Sequence, residues 1–187
     1  MAVDGLSPVS TLCLAILDHG EATGYEIKKE STEGDYRFFV DASYGAIYPA
    51  LARLSADGYV TVREESQSGR PARKIYAITE KGRAALLAAL SDPPGPDVFR
   101  ARFLLVAKFA ARLPQSVIRA AIEERRAHLR SELEHIERIA EKTDDNPAVR
   151  WTVQYGRDCM THSLDYLDAH ADELIAIARP AVADAAE

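Results

Sequence analysis

The stretch SYGAIYPALARL, Ser43 to Leu54, decides how the N-terminal half of the chain is read. Ile47, Ala50, Leu51 and Leu54 fall at the i, i+3, i+4, i+7 spacing that places apolar side chains on one face of a helix. Pro49 sits inside that pattern and Gly45 lies four residues before it. In a helix interior a proline removes one donor and presses its ring on the carbonyl four residues back, at a cost of about 3 kcal/mol. The spacing predicts a short amphipathic helix with Ser43 as its cap and Asp57-Gly58 as its exit. Gly45 blunts the clash from Pro49, and the missing amide lets the first turns tilt away from the remainder.

Working outward, Ser7 followed by Pro8 supplies a capping hydroxyl and a ring already fixed near helical φ. Val9, Leu12, Cys13 and Ile16 form a core stripe, and DHGEA (18–22) stops that helix. A second helix opens at TGYEIKKE, where Thr23 and Glu26 have the spacing of a capping box. After the third helix the period changes. YVTVRE (59–64) and KIYAIT (74–79) are β-branched and aromatic runs, joined by the polar ESQSGRPAR (65–73). This predicts a hairpin with a long exposed tip, and TEKGRAALLAAL (79–90) returns to helix. The order α-α-α-β-β-α is that of a winged helix-turn-helix, whose third helix enters a DNA major groove and whose hairpin tip meets the neighbouring backbone.

SDPPGPD (91–97) carries three prolines and a glycine, which exclude regular structure and mark the boundary between domains 1–91 and 92–187. Everything beyond it reads as helical. Phe99, Phe103, Val106, Ala110 and Leu113 form one stripe. Past Pro114, Ile122, Leu129 and Ile136 recur every seven residues, with Leu133 and Ala140 on a second track. After DDNP (144–147), Val153, Met160, Leu167 and Leu174 recur every seven again. Sustained sevens with charged flanks predict coiled-coil packing. Two helices pairing within one chain would also give them, but two or three long helices alone bury little. The reading therefore assigns Ile122, Leu129, Leu133, Ile136, Val153, Met160, Leu167 and Leu174 to a dimer seam. The fold class is mainly α: a winged domain followed by a long-helix dimerisation domain.

The 187 residues carry a net charge of −6, so no global basic field advertises a nucleic-acid partner. Any such partner must be met by a local patch, and Arg70, Arg73 and Lys74 form one, with no acid between Ser66 and Thr79. Two distant cysteines, Cys13 and Cys159, read as buried thiols of a cytoplasmic protein. MAVDGLSPVS lacks the features of a signal peptide, and no apolar run approaches the roughly 18 residues of a membrane span. No Ser-His-Asp set, phosphate-cradling loop or carboxylate pair stands out, so neither catalysis nor a cofactor is expected. Cys159 and His162, with His128 and His135 on the preceding helix, have the residue types of a metal site. An apolar cysteine in a helix core plus exposed histidines is the better reading, and no metal is assigned.

GYEIKKE, SYGAIYPALARLSADGYV and GRPARKIYAITEKGRAAL resemble the three signature segments of the PadR family of bacterial transcriptional regulators, in order and spacing, over roughly residues 10–90. The C-terminal half is similar in pattern to the longer family members, whose helical tail dimerises and resembles that of virulence-gene activators. The resemblance implies a homodimer that binds double-stranded DNA, most simply as a ligand-responsive repressor on a pseudo-palindromic operator. It places Tyr25 and Lys28 on a helix lying across phosphates. Ser43, Tyr44, Gly45 and Tyr48 come at the mouth of the recognition helix, where Gly45 would permit close approach to DNA. Gly69, Arg70, Arg73 and Lys74 form the wing. Position 46 is alanine where the family commonly carries a small hydroxyl residue, which puts one contact in doubt. Trp151, Tyr155 and Tyr166 are placed around a flat aromatic effector, with simple core packing as the alternative. Other readings of the whole are a protein-interaction module on a winged scaffold and a metal-sensing regulator.

Overall fold

Ser7 and Pro8 begin the first helix, α1 (Pro8–Asp18), as their chemistry requires: the Ser7 hydroxyl accepts the Ser10 amide at 3.1 Å and Pro8 occupies a position needing no donor. This is seen in the computed structural model, which describes residues 5–43, 45–67, 70–97, 99–142 and 146–180, with backbone only at 66, 67, 70, 71 and 142. The chain divides into two compact units, Met1–Pro96 and Asp97–Glu187.

In the N-terminal unit α1 is followed by a two-residue strand, β1 (Ala22–Thr23), and by α2 (Gly24–Thr32). The capping box forms as the spacing predicts. The Thr23 hydroxyl accepts the Glu26 amide at 3.2 Å, and the Thr23 amide donates to the Glu26 carboxylate at 2.7 Å. The Thr23 amide and the Thr23 hydroxyl, which donates to the same carboxylate at 2.7 Å, hold the Glu26 carboxyl below the usual carboxylate range, the backbone bond contributing most. A short 3-10 turn at Asp35–Phe38 leads to α3 (Ile47–Ala56), β2 (Val60–Gln67), β3 (Arg70–Ile78) and α4 (Glu80–Ser91). The sheet runs β1-β3-β2, antiparallel throughout, with Val60 opposite Ile78 and Val62 opposite Tyr76. Leu14, Leu17, Ile27, Ile47, Leu51 and Leu54 bury almost completely at its centre, each contributing about 1.5–3 kcal/mol by burial. Cys13 lies among them, and burial pushes its thiol up to about 12. Neither β1 nor the 3-10 turn is foreseen by periodicity, since two and four residues are too short to show a period.

The structure corrects the expected start of α3. The helix begins at Ile47, its cap position is Ala46, and no side chain caps it; Ser43 instead accepts the Ala46 amide through its carbonyl at 2.9 Å, in the turn before the helix. Pro49 is therefore the third helical residue, in the turn whose amides have no intrahelical partner. The helix ladder starts one residue later, with the Ala50 amide on the Ala46 carbonyl at 3.1 Å. Pro49 costs no helical bond, and Gly45, outside the helix, has no heavy atom within 4 Å of the place its Cβ would occupy. The first turns therefore have no cause to tilt apart. The exit is as predicted. Gly58 takes φ 73°, its amide reaches the Ser55 carbonyl at 3.1 Å and the Tyr59 amide reaches the Leu54 carbonyl at 2.9 Å, the paired closure of a left-handed helix cap.

The hairpin tip is also shorter than expected. The strands continue to Gln67 and Arg70, which face each other, with a register shift between Glu65 and Gln67. Pro71 falls beside this irregularity, at the end of β3 that β1 does not reach.

The C-terminal unit contains α5 (Arg102–Lys108), a 3-10 turn (Ala110–Arg112), α6 (Gln115–Lys142) and α7 (Pro147–Ile177). Phe99 does not join the α5 stripe: it lies outside the helix and is 77% exposed. Asn146 caps α7, accepting the Ala148 amide at 3.0 Å. The two long helices run antiparallel. At one end the Gln115 amide donates to the Arg179 carbonyl at 2.9 Å; further along, Arg126 reaches Asp168 at 2.7 Å, and the Ile136 side chain abuts Gly156. The sevens of α6 thus meet those of α7 in the same chain. Ile122, Leu129, Ile136 and Leu167 are 1, 3, 5 and 9% exposed, so their own chain already covers them. Leu133, Val153, Met160 and Leu174 are half-buried on the same inward faces. Among the described residues no helix is long and apolar enough to cross a membrane.

Candidate nucleic-acid interface

Helix α3 presents Tyr48, Pro49, Ala52, Arg53 and Ala56 outward while Ile47, Ala50, Leu51 and Leu54 face the core. Two side chains and three small or cyclic ones make a face that can approach another surface closely. Tyr48 is 47% exposed, and its ring is seated on the backbone of Gly24, where a Cβ would come within 2.8 Å of it. The neighbouring Tyr76 hydroxyl is pushed up by burial, and further by Tyr48. On α2, Tyr25 is 64% exposed and the Lys28 ammonium lies 5.9 Å from the centroid of its ring. Ser43 and Gly45 are exposed just before α3. Tyr44 and Gly69 lie outside the described residues, as does the side chain of Arg70.

The hairpin is less purely basic than its sequence suggests. Arg63, Glu65 and Arg73 share one face of the ribbon: Arg73 approaches Glu65 at 3.8 Å, and Arg63 bridges Glu65 at 3.7 Å and Glu21 at 2.6 Å. Lys74 stands opposite Glu64 on the other face. The run from 66 to 79 lacks acids, but the antiparallel partner strand brings Glu64 and Glu65 alongside. These pairs are about half exposed, and such pairs contribute only about 0–1 kcal/mol, so a phosphate can replace the carboxylate at small cost.

A helix of this kind, flanked by cation-bearing α2 and a two-stranded ribbon, is the geometry of a winged helix-turn-helix. The sequence profile of the transcriptional regulator PadR-like family matches residues 13–88, and that of the virulence activator alpha C-terminal domain matches residues 99–174. The chain belongs to the PadR-like family. It is 32% identical over 97 residues to the negative transcriptional regulator PadR of Bacillus subtilis, an alignment covering 51% of this chain and 53% of that regulator. The chain thus spans about half the length of that curated relative. Among solved structures it is similar to smu.1604c from Streptococcus mutans, with 28% identity, a TM-score of 0.79 and coverage of 87% of this chain and 98% of that one. Bacillus subtilis PadR in complex with operator DNA has the same fold at 22% identity, TM-score 0.71, with 89% of this chain and 98% of that one covered. The Vibrio cholerae virulence activator AphA shares it at 24% identity, TM-score 0.60, covering 91% of this chain and 99% of its own.

In this PadR-like chain the aromatic residues of α7 do not fill the core. Trp151, Tyr155 and Tyr166 are 69, 59 and 58% exposed. Trp151 stacks on Tyr155 at 5.5 Å, whereas Tyr166, fifteen residues further, is about 22 Å along the helix. At 100° per residue all three lie on one stripe, opposite the side that packs on α6. A groove of this unit lies on other residues. Between α5 and α6 a cleft of about 640 Å³ has Phe103, Val106 and Val117 at its apolar wall and Arg100, Arg102 and Arg125 around it, against one acid, Glu124. None of these three guanidinium groups has a carboxylate partner among the described residues, and Arg125 is half-buried. The sequence reading missed this cluster because its members come from the segment before α5, from α5 and from α6. Cys159 is exposed on α7 and not the buried core thiol its sequence suggested; His128 is within 4.0 Å of Glu132, and among the described residues no three metal-ligating side chains converge.

Proposed function

We propose that this chain is a cytoplasmic homodimeric repressor that binds a pseudo-palindromic operator in double-stranded DNA and releases it on binding a small ligand. The observation that carries the reading is the outer face of α3, small at Pro49, Ala52 and Ala56, with cations beside it on α2 and the hairpin. Residues 1–91 form the DNA-binding domain and residues 92–187 the dimerisation and effector domain. Tyr25 and Lys28 meet phosphates, as do Gly69, Arg70, Arg73 and Lys74 of the wing, while Ser43, Tyr44, Gly45 and Tyr48 line the groove. The operator complex of Bacillus subtilis PadR, itself named a negative regulator, supports the sign and the partner.

The second chain packs on the exposed α7 stripe of Trp151, Tyr155 and Tyr166, because the inward sevens are already covered. The ligand enters the α5–α6 cleft, whose apolar wall and unpartnered guanidinium groups suit an aromatic carboxylate. Bacillus subtilis PadR has been solved with p-coumaric acid, a ligand of that class. Footprinting on the DNA upstream of the protein's own gene tests the reading. Two protected half-sites one or more helical turns (roughly 34 Å each) apart are expected. Each wing cation replaced by alanine should lower the slope of log affinity against log salt by roughly 0.9 for every phosphate it neutralises. Absence of protection on any genomic fragment would leave the winged unit as a protein-interaction module.

A further inference from the structure

We infer that Arg53 reads a guanine in each operator half-site, a role that rests on the DNA reading above and extends it to a residue outside the wing and the helix mouth. On the outer face of α3 only Tyr48 and Arg53 carry hydrogen-bonding side chains, and the Tyr48 ring is seated against Gly24. Arg53 is exposed, and its side chain makes no hydrogen bond, ion pair or ring contact among the described residues. The other arginines of this unit with described side chains are engaged. Arg63 pairs with Glu21 and Glu65, Arg73 with Glu65, Arg83 with Asp18 and Glu80, and Arg37 lies over the Phe38 ring. Asp57, one turn beyond Arg53, forms no ion pair with it; the Asp57 carbonyl is taken by Lys81.

The neighbours of Arg53 on the face decide what it can reach. Pro49 precedes it by one turn, Ala52 and Ala56 flank it, and none extends as far as a guanidinium group. A helix brought close to a groove floor over small residues carries this one long side chain to the base edges. Its planar fork matches the O6 and N7 acceptors that only guanine presents together in the major groove. A lysine keeps the charge and loses the fork. The competing role is structural: a cation in the last turn of α3 interacts favourably with the helix dipole. That role would affect stability without touching base preference.

The test is selection from a randomised duplex pool by the full-length wild type, R53K and R53A. The wild type is expected to enrich symmetric half-sites with one invariant guanine. R53K should lose roughly 5- to 150-fold of the preference at that position alone, with its salt slope unchanged. Replacing that guanine by 7-deazaguanine, which lacks the N7 acceptor, should weaken the wild type and leave R53A indifferent; the wild-type arm alone tests the contact, and an undiminished affinity for the analogue overturns it, even if R53A folds poorly. An unchanged site preference in R53K overturns the guanine contact, as does a fall in the R53A salt slope with preference intact, which marks a phosphate contact. Should the wild type enrich no sequence, the DNA reading itself fails and Arg53 falls with it.

Discussion

Helices α3 and α6 both announce an apolar face by periodicity, yet for the second the pattern admits two covers, a partner chain or α7. In α3, Ile47, Leu51 and Leu54 close against the core of their own unit. In α6, Ile122, Leu129 and Ile136 look like the seam of a coiled coil between chains, and α7 of the same chain occupies them. The contrast shows that a repeat specifies which side of a helix leaves water and is silent on whose atoms replace it. For α6 the deciding feature is the short connection through Asn146-Pro147, which returns the chain antiparallel with a matching repeat.

The largest effect that could break this contrast is Leu129→Lys. At 3% exposure a lysine there places an unpaired charge inside the α6–α7 pair, a loss on the order of 4 kcal/mol or more. The expected outcome is a C-terminal unit that melts, followed by circular dichroism. A well-folded monomer in sedimentation would restore the seam between chains. Joint replacement of Trp151 and Tyr155 by alanine should do the reverse: helicity and melting hold, while dimer dissociation rises by roughly 30-fold or more, since a buried aromatic anchor is worth about 2 kcal/mol. A dimer of unaltered strength would move the partner off the stripe.

The cleft gives a smaller and more local test. Arg125→Ala should weaken an aromatic carboxylate by about 1.5–3 kcal/mol in calorimetric titration, the value of a hydrogen bond to a charged group. The ligand should leave Trp151 fluorescence without the quenching of a stacked ring, as Trp151 is not among the residues around the cleft. Unchanged affinity in the variant, with Trp151 quenched, would return the effector to α7.

Smallest is the capping box of α2, where Thr23→Ala should cost about 1 kcal/mol in denaturant unfolding. Its pH dependence follows from Glu26, whose carboxyl is held low by the Thr23 amide and hydroxyl. The stabilisation it provides is complete above the unfolded-state value of about 4.3 and is lost as pH falls through the lower folded value. Wild type and Glu26→Gln should therefore differ at pH 7 and converge in acid. A difference that persists at pH 2 would mean that the carboxylate charge is irrelevant to the cap.

Much of the N-terminal unit was legible because its signals are local. Ser7-Pro8, the Thr23–Glu26 pair and Asp57-Gly58 each act within five residues, and each forms as read. The start of α3 escaped because a serine before an apolar run resembles a cap whether or not the chain uses it. The ion pairs of the ribbon escaped for another reason: Glu65 and Arg73 are eight residues apart, and only the register of β2 on β3 brings them together. The α5–α6 cleft and the α7 stripe depend on helix pairing that no single stretch encodes.

The seat of the Tyr48 ring on Gly24 joins the beginning of α3 to the beginning of α2 without room for an intervening methyl group. With α3 also closed at its far end by the Gly58 cap, neither end of the helix has slack of its own. Rotating the helix within its unit would break both contacts, whereas moving the unit as a single piece would keep them, as a key is turned by its bow.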